Sequence, residues 1–197
     1  MEDFASIIKN VSRYIDFTEE EKGFFISQLR IIKVKKKQFV EQPGFVSNYR
    51  NYIVKGAMRA YVIGDDGQEH TISLAIEDWY ICDLGSFILQ EPGTLFTEAM
   101  EDCVLIQLSY EGEQLLLKNL PKFQNYLLVR GHQIAANMQK QILSNISQSA
   151  EQRYYQFAER YPQFLQRFPL YIIASYLGMT REFLSKIRNN KAHKNDA

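Results

Sequence analysis

The spacing of apolar residues changes twice along the chain and divides it into helical, extended and again helical parts. Near the start, Ile7, Ile8, Val11 and Ile15 share one helical face. Thr18-Glu19-Glu20-Glu21 opens a second short helix, with a threonine cap and acids in the first turn, and Phe24, Phe25 and Leu29 form its apolar side. From Arg30 to Leu108 the period becomes that of strands. Extended runs are expected at 31–37, 51–55, 57–63, 69–75, 79–81, 96–100 and 104–108. Gln42-Pro43-Gly44 and Asp65-Asp66-Gly67 are turn signals between them, and Gly56 splits the second run from the third. Many short strands at close spacing predict a double-sheet β roll. Helical spacing then returns. Residues 109–117 form a short helix stopped by Pro121. From 122 to about 146, Leu127, Gly131, Ile134, Met138, Ile142 and Ile146 step by three or four and make one stripe. Such a stripe packs either on the roll or on a twin helix. Ser147-Gln148-Ser149 marks a boundary, and residues 150–161 form a helix with Tyr154, Tyr155, Phe157 and Ala158 as its apolar contacts.

The stretch 170–188, LYIIASYLGMTREFLSKIR, has the layout of two helices meeting at a turn. Ile172, Ile173 and Leu177 bury one face of the first, and Ala174 is small where a second helix must cross. Gly178 stands where a chain leaving a helix needs positive φ. Thr180 caps the next helix and Glu182 lies in its first turn. Phe183, Leu184 and Ile187 form the buried face expected of this second helix, leaving Arg181, Ser185, Lys186 and Arg188 outside. A helix with long donors near its N-terminus suits the DNA major groove. The tail from 189 to 197 is polar and is expected to fray, with Lys191 within reach of phosphates.

Charge sharpens this picture. The net charge is zero, yet residues 60–117 carry twelve acids and no Lys or Arg, while residues 118–197 carry twelve Lys and Arg against four acids. A basic C-terminal part beside an acidic middle is the footprint of a nucleic-acid-binding tail.

The ordered set Ala174, Gly178, Thr180-Arg181-Glu182, Leu184 and Ile187 resembles the reading head of the Crp/Fnr family of bacterial transcription regulators. The middle of the chain is similar to the family's cyclic-nucleotide-binding-type roll at Tyr52-Ile53-Val54-Lys55-Gly56, Arg59-Ala60-Tyr61, Asp66-Gly67-Gln68-Glu69 and Ala99-Met100-Glu101-Asp102-Cys103. The resemblance implies an α+β protein. An N-terminal double-stranded β-helix (jelly-roll) sensor spans 1–121, a long dimerisation helix and hinge 122–148, and a small helix-turn-helix domain 149–197. It implies that Arg181, Glu182 and Lys186 contact bases, and arginine does suit guanine O6/N7 while a carboxylate accepts from cytosine N4. With Thr180, Ser185, Arg188 and Lys191 they make the expected DNA-binding set. The dimer seam implied is Leu127, Gly131, Ile134, Met138 and Ile142. A twofold protein calls for an inverted-repeat operator in double-stranded DNA, with RNA polymerase as a further partner of an activator. Only eight residues separate Tyr161 from Leu170, which leaves no room for the full wing of strands found in many members.

Members that bind cyclic AMP open their phosphate cassette with Gly-Glu and follow it with Arg-Ser or Arg-Thr about ten residues on. The matching segment here holds Asp83, Leu84 and Gly85, then Gly93 and Thr94; Cys82 replaces the glycine and Asp83 the glutamate, and no cation is present. A buried cyclic phosphate without a positive partner is costly, so this tentative effector pocket is not expected to answer cyclic AMP in the usual way. Phe87 and Trp79 are candidates to fill it.

No G-x-S-x-G, phosphate-cradling glycine loop or H-E-x-x-H occurs, and His70, His132 and His193 lie on separate segments. Neither enzyme, metal nor cofactor is expected. Cys82 and Cys103 read as buried small hydrophobes. No apolar run reaches the length of a membrane span, and residues 1–11 carry acids, which points to the cytoplasm. The alternatives are a haem or other small-molecule sensor, or an interaction module without an operator.

Overall fold

The structure, a computed structural model, describes residues 4–195, and side chains as far as Asn190. Two short helices lead, α1 (Ala5–Val11) and α2 (Glu19–Ser27). The Thr18 hydroxyl accepts from the Glu21 N–H while the Glu21 carboxylate accepts from the Thr18 N–H, a reciprocal cap that fixes where α2 begins. Eight strands follow: β1 (Leu29–Val34), β2 (Phe39–Glu41), β3 (Tyr49–Lys55), β4 (Met58–Ile63), β5 (Glu69–Ala75), β6 (Tyr80–Ile81), β7 (Phe96–Ala99) and β8 (Cys103–Ser109). Helix α3 (Leu84–Leu89) interrupts them after β6. Helices α4 (Tyr110–Asn119), α5 (Lys122–Ser147), α6 (Ala150–Arg160), α7 (Pro162–Arg167), α8 (Leu170–Tyr176) and α9 (Arg181–Asn195) complete the chain.

Among the described residues the strands form two four-stranded sheets, ordered β1-β8-β3-β6 and β2-β7-β4-β5. The pairings of β1 and β3 with β8, of β3 with β6, and of β2 and β4 with β7 are antiparallel. Strand alternation decides what lies between the sheets. Val34, Ile53, Met58, Ala60, Ala75, Ile81, Ala99, Cys103 and Leu105 form the inner core. The opposite face of the first sheet presents Tyr52, Ile106 and Leu108 to Ile7, Val11, Phe25, Leu116, Phe123 and Tyr126 from the helices. Arg50, on that outer face, forms a two-point ion pair with Glu113 of α4, Nε to Oε2 at 2.5 Å and Nη2 to Oε1 at 3.1 Å.

Three elements escaped the sequence reading: β2, α3 and α7, the last a six-residue helix that opens on Pro162. β2 has three residues and is followed at once by Gln42-Pro43, too short for alternation to register. α3 has six residues, under two turns, and is held by the Asp83 carboxylate at its start rather than by an apolar face. At the other end, α9 continues to Asn195 where a frayed tail was expected.

The chain divides into two compact units. One runs to Tyr61 and takes in Ser73–Ala135; the other comprises Val62–Ile72 and the residues from Ala136 onward. The division falls inside α5, and the tip of the β4–β5 hairpin belongs with the C-terminal helices. The reason is local: the Ser175 hydroxyl in α8 accepts from the Thr71 N–H at 2.8 Å and donates to the Glu69 carbonyl at 2.8 Å. The core of this second unit combines aromatic contacts of Phe157 with Phe164 and Tyr176 with the buried aliphatic side chains of Ile172, Ile173, Leu177, Leu184 and Ile187.

Candidate nucleic-acid interface and effector cavity

Helices α8 and α9 meet at a turn that the sequence required. Gly178 has φ +66°, and the Thr180 hydroxyl accepts from the Phe183 N–H at 3.2 Å, capping α9. Leu184 and Ile187 are buried and Ala174 is 1% exposed at the crossing. Phe183, expected on the buried face, is 47% exposed instead. Position 183 lies one residue, about 100°, from Leu184 on the helix, off the face that Leu184 and Ile187 bury.

The opposite face of α9 carries Arg181, Glu182, Lys186 and Arg188, all exposed, with Ser185 half-buried at its edge. Arg181, Lys186 and Arg188 take part in no ion pair among the described residues. Three cations and one carboxylate thus stand free on the first two turns of a capped helix, where the dipole adds further positive potential. Lys191 lies outside the described side chains.

The residues of the expected effector pocket are only partly brought together. Asp83 and Gly93 line a cavity of about 330 Å³ between the two sheets; Leu84, Gly85 and Thr94 do not line it. Asp83 is 8% exposed, and its carboxylate is fully engaged: Oδ1 accepts from the Ser86 N–H at 3.1 Å, and Oδ2 from the N–H groups of Thr94 at 3.0 Å and Leu95 at 3.2 Å. A Cβ at position 93 would stand 2.9 Å from Asp83 Oδ2, so glycine permits this approach. The backbone donors that an incoming phosphate would need are held by a carboxylate of the chain itself. Phe87 and Trp79 do not fill the cavity: Phe87 packs beside Tyr110 and under Arg50, and Trp79 is 37% exposed.

Glu41 of β2, which the sequence reading passed over, is a second acid in the cavity wall. Its carboxylate accepts from the hydroxyls of Ser47 and Thr97, and from the Asp83 N–H at 3.1 Å. Burial pushes the Glu41 carboxyl above the usual carboxylate range, against those three hydrogen bonds. The native state therefore holds this proton more tightly than the unfolded chain. The resulting stabilisation is present below the ordinary carboxylate pKa and is lost as pH rises through the raised value. Across that window the thermal midpoint of Glu41→Gln is expected to fall less with pH than that of the parent, as a melting series against pH would show.

Burial also pushes the Cys82 thiol up to about 12, so it stays protonated at neutral pH. Among the described residues no three His, Cys, Asp or Glu side chains are grouped to hold a metal ion.

The apolar stripe of the long helix α5 is covered near its N-terminal end and exposed farther along. Leu127 packs against the core under the first sheet, and Ile134 lines a small pocket there with Tyr80 and Tyr126. These two members of the expected seam are thus turned toward the helix's own unit. The helix exposes Leu128, Met138, Ile142, Leu143 and Ile146, and a Cβ at Gly131 would meet nothing within 4 Å. No described helix is long and apolar enough to cross a membrane.

No family model and no curated protein sequence matches the chain. Solved structures do. The c-di-GMP-responsive global regulator CLP of Xanthomonas campestris is 15% identical with a TM-score of 0.68, over 90% of this chain and 93% of its own. FixK2 of Bradyrhizobium japonicum is 14% identical with a TM-score of 0.71, over 85% and 86%. A cyclic nucleotide-binding domain of Methylobacillus flagellatus is 19% identical with a TM-score of 0.59, over 85% of each chain. At such identities the likeness is one of fold: an α+β chain with antiparallel sheets, similar to the cyclic-nucleotide-binding fold.

Proposed function

We propose that the protein is a sequence-specific, DNA-binding transcription regulator of the Crp/Fnr type, acting as a cytoplasmic homodimer on an inverted-repeat operator. The observation that carries this reading is α9: a helix capped by Thr180 after a positive-φ glycine, with Leu184 and Ile187 buried and Arg181, Glu182, Lys186 and Arg188 free on its open face. In this reading α8 and α9 are a helix-turn-helix. Arg181, Glu182 and Lys186 read bases, while Thr180, Ser185, Arg188 and Lys191 serve the phosphate backbone. The strand orders β1-β8-β3-β6 and β2-β7-β4-β5 support a double-stranded β-helix as the sensor. The exposed apolar face of α5, with Gly131, Met138 and Ile142, supports a helix-to-helix dimer seam. The occupied amides around Asp83 support independence from cyclic AMP in the usual manner.

Selection of bound duplexes from a random pool tests the reading. One enriched palindrome is the expected outcome; binding without sequence preference identifies an interaction module instead. On the enriched operator, Arg181→Ala is expected to lose about 1–3 kcal/mol, concentrated at one base position of each half-site. Arg188→Ala is expected to lose affinity on all sequences alike, with a shallower salt dependence. Equal, sequence-independent losses from both would overturn the division of roles.

A further inference from the structure

The inner face of the first sheet carries a row of polar side chains that DNA binding leaves unused. Arg30 stands opposite Gln107, and Gln107 opposite Asn51, across β1, β8 and β3. Arg30 Nε donates to Gln107 Oε1 at 2.9 Å, Gln107 Nε2 donates to Asn51 Oδ1 at 2.6 Å, and Asn51 Nδ2 donates to the Ile81 carbonyl at 3.1 Å. The chain of bonds runs one way across all four strands and fixes the orientation of both amides. The guanidinium lies over the Tyr49 ring, 3.9 Å from its centroid. It is thus held at two points. A guanidinium has five N–H donors, and those beyond Nε meet no protein acceptor among the described residues. Arg30 lines an open cleft of about 700 Å³ that shares Phe39, Gln42, Tyr49 and Gln107 with the cavity of about 330 Å³.

We propose that this cavity and its mouth bind a small monoanionic organic acid with a planar apolar body, its carboxylate on the free edge of Arg30. A preoriented guanidinium edge matches a carboxylate at two points. Phosphate carries more charge and is disfavoured, because Glu41 and Asp83 stand in the same wall and repel a dianion more than a monoanion. The body of the ligand is apolar and flat because Phe45, 71% exposed, and Phe39, 42% exposed, border the same space. The size suits a small-molecule site, typically roughly 300–1,000 Å³. The binding site does not depend on DNA recognition; its role as the effector site rests on the regulator reading.

Calorimetry of the full chain with benzoate and indole-3-acetate, with benzyl alcohol as the neutral probe and phenyl phosphate as the dianion, tests it. At least one of the two acids is expected to bind with Kd below about 1 mM, and more tightly than either control. Arg30→Gln is expected to weaken it by at least about tenfold, and Arg30→Lys also, since lysine keeps the charge and loses the planar fork. Phe45→Ser, at an exposed position, should weaken it as well. Absence of heat with both acids to about 5 mM, equal binding of benzyl alcohol, tighter binding of phenyl phosphate, or full binding by Arg30→Gln would each overturn the proposal. Operator selection repeated with Arg30→Gln separates the two readings: an unchanged palindrome leaves the regulator standing whatever the calorimetry returns.

Discussion

Replacing Met138 and Ile142 together by glutamate is expected to leave a folded monomer whose operator affinity is lower by about 10²–10⁴-fold. Both side chains are more than half exposed on α5, 57% and 58%, so neither substitution opens a cavity or buries a charge within the chain. In the proposed seam the same positions meet their symmetry mates, and four carboxylates would be brought together in a desolvated stripe. The dimer would dissociate. A monomer still presents one α9, but it loses the effective concentration that the first bound head provides for the second. Sedimentation velocity reads the oligomeric state, and titration of whole and half operators reads the affinity. A variant that stays dimeric would place the seam elsewhere. One that becomes monomeric without loss on the whole operator would remove the twofold reading of DNA.

Glu113→Ala is expected to lower stability by about 3–5 kcal/mol. The Arg50 and Glu113 side chains are 17% and 6% exposed, and the guanidinium lies 4.5 Å over the Phe87 ring. Removing the carboxylate leaves a buried cation with no equivalent partner. The double replacement Arg50→Met with Glu113→Leu removes both charges at similar volume and is expected to recover most of the loss. Urea unfolding of parent, single and double variants measures this. A single-variant loss under about 1 kcal/mol would show that the pair behaves as a surface ion pair.

These experiments address features that differ in how far they were visible beforehand. The α8–α9 corner was legible residue by residue, because each requirement is local: a small residue at the crossing, a glycine at positive φ, a hydroxyl one residue ahead of the helix. Most strands were legible within two residues for the same reason, since alternation and turn chemistry are read over a few neighbours. Phe183 was misplaced because its burial depends on which face of α9 the packed helices cover. The stripe on α5 was recognised as one face, but the change in its covering along the axis was not: Met138 lies eleven residues, about 20° around the helix, from Leu127. Leu127 and Ile134 serve the helix's own unit, and only packing tells them from Met138 and Ile142.

Residues 60–117 carry twelve acids and no Lys or Arg. Tertiary structure supplies the missing partners from outside that segment: Arg59 meets Glu98, Lys35 meets Asp102, and Arg50 meets Glu113. Arg30, also from outside that segment, lines the open cleft that shares residues with the inner cavity. The amino-acid sequence by itself determined the order of elements, the capped turn before α9 and the polar face of that helix, because these follow from contacts among residues a few positions apart. Only the tertiary structure decided which charges are paired, how much of the α5 stripe is covered, and that Asp83 occupies the amides of Thr94 and Leu95 while Arg30 lines the open cleft. Those outcomes depend on strand register between residues tens of positions apart, which no local pattern encodes.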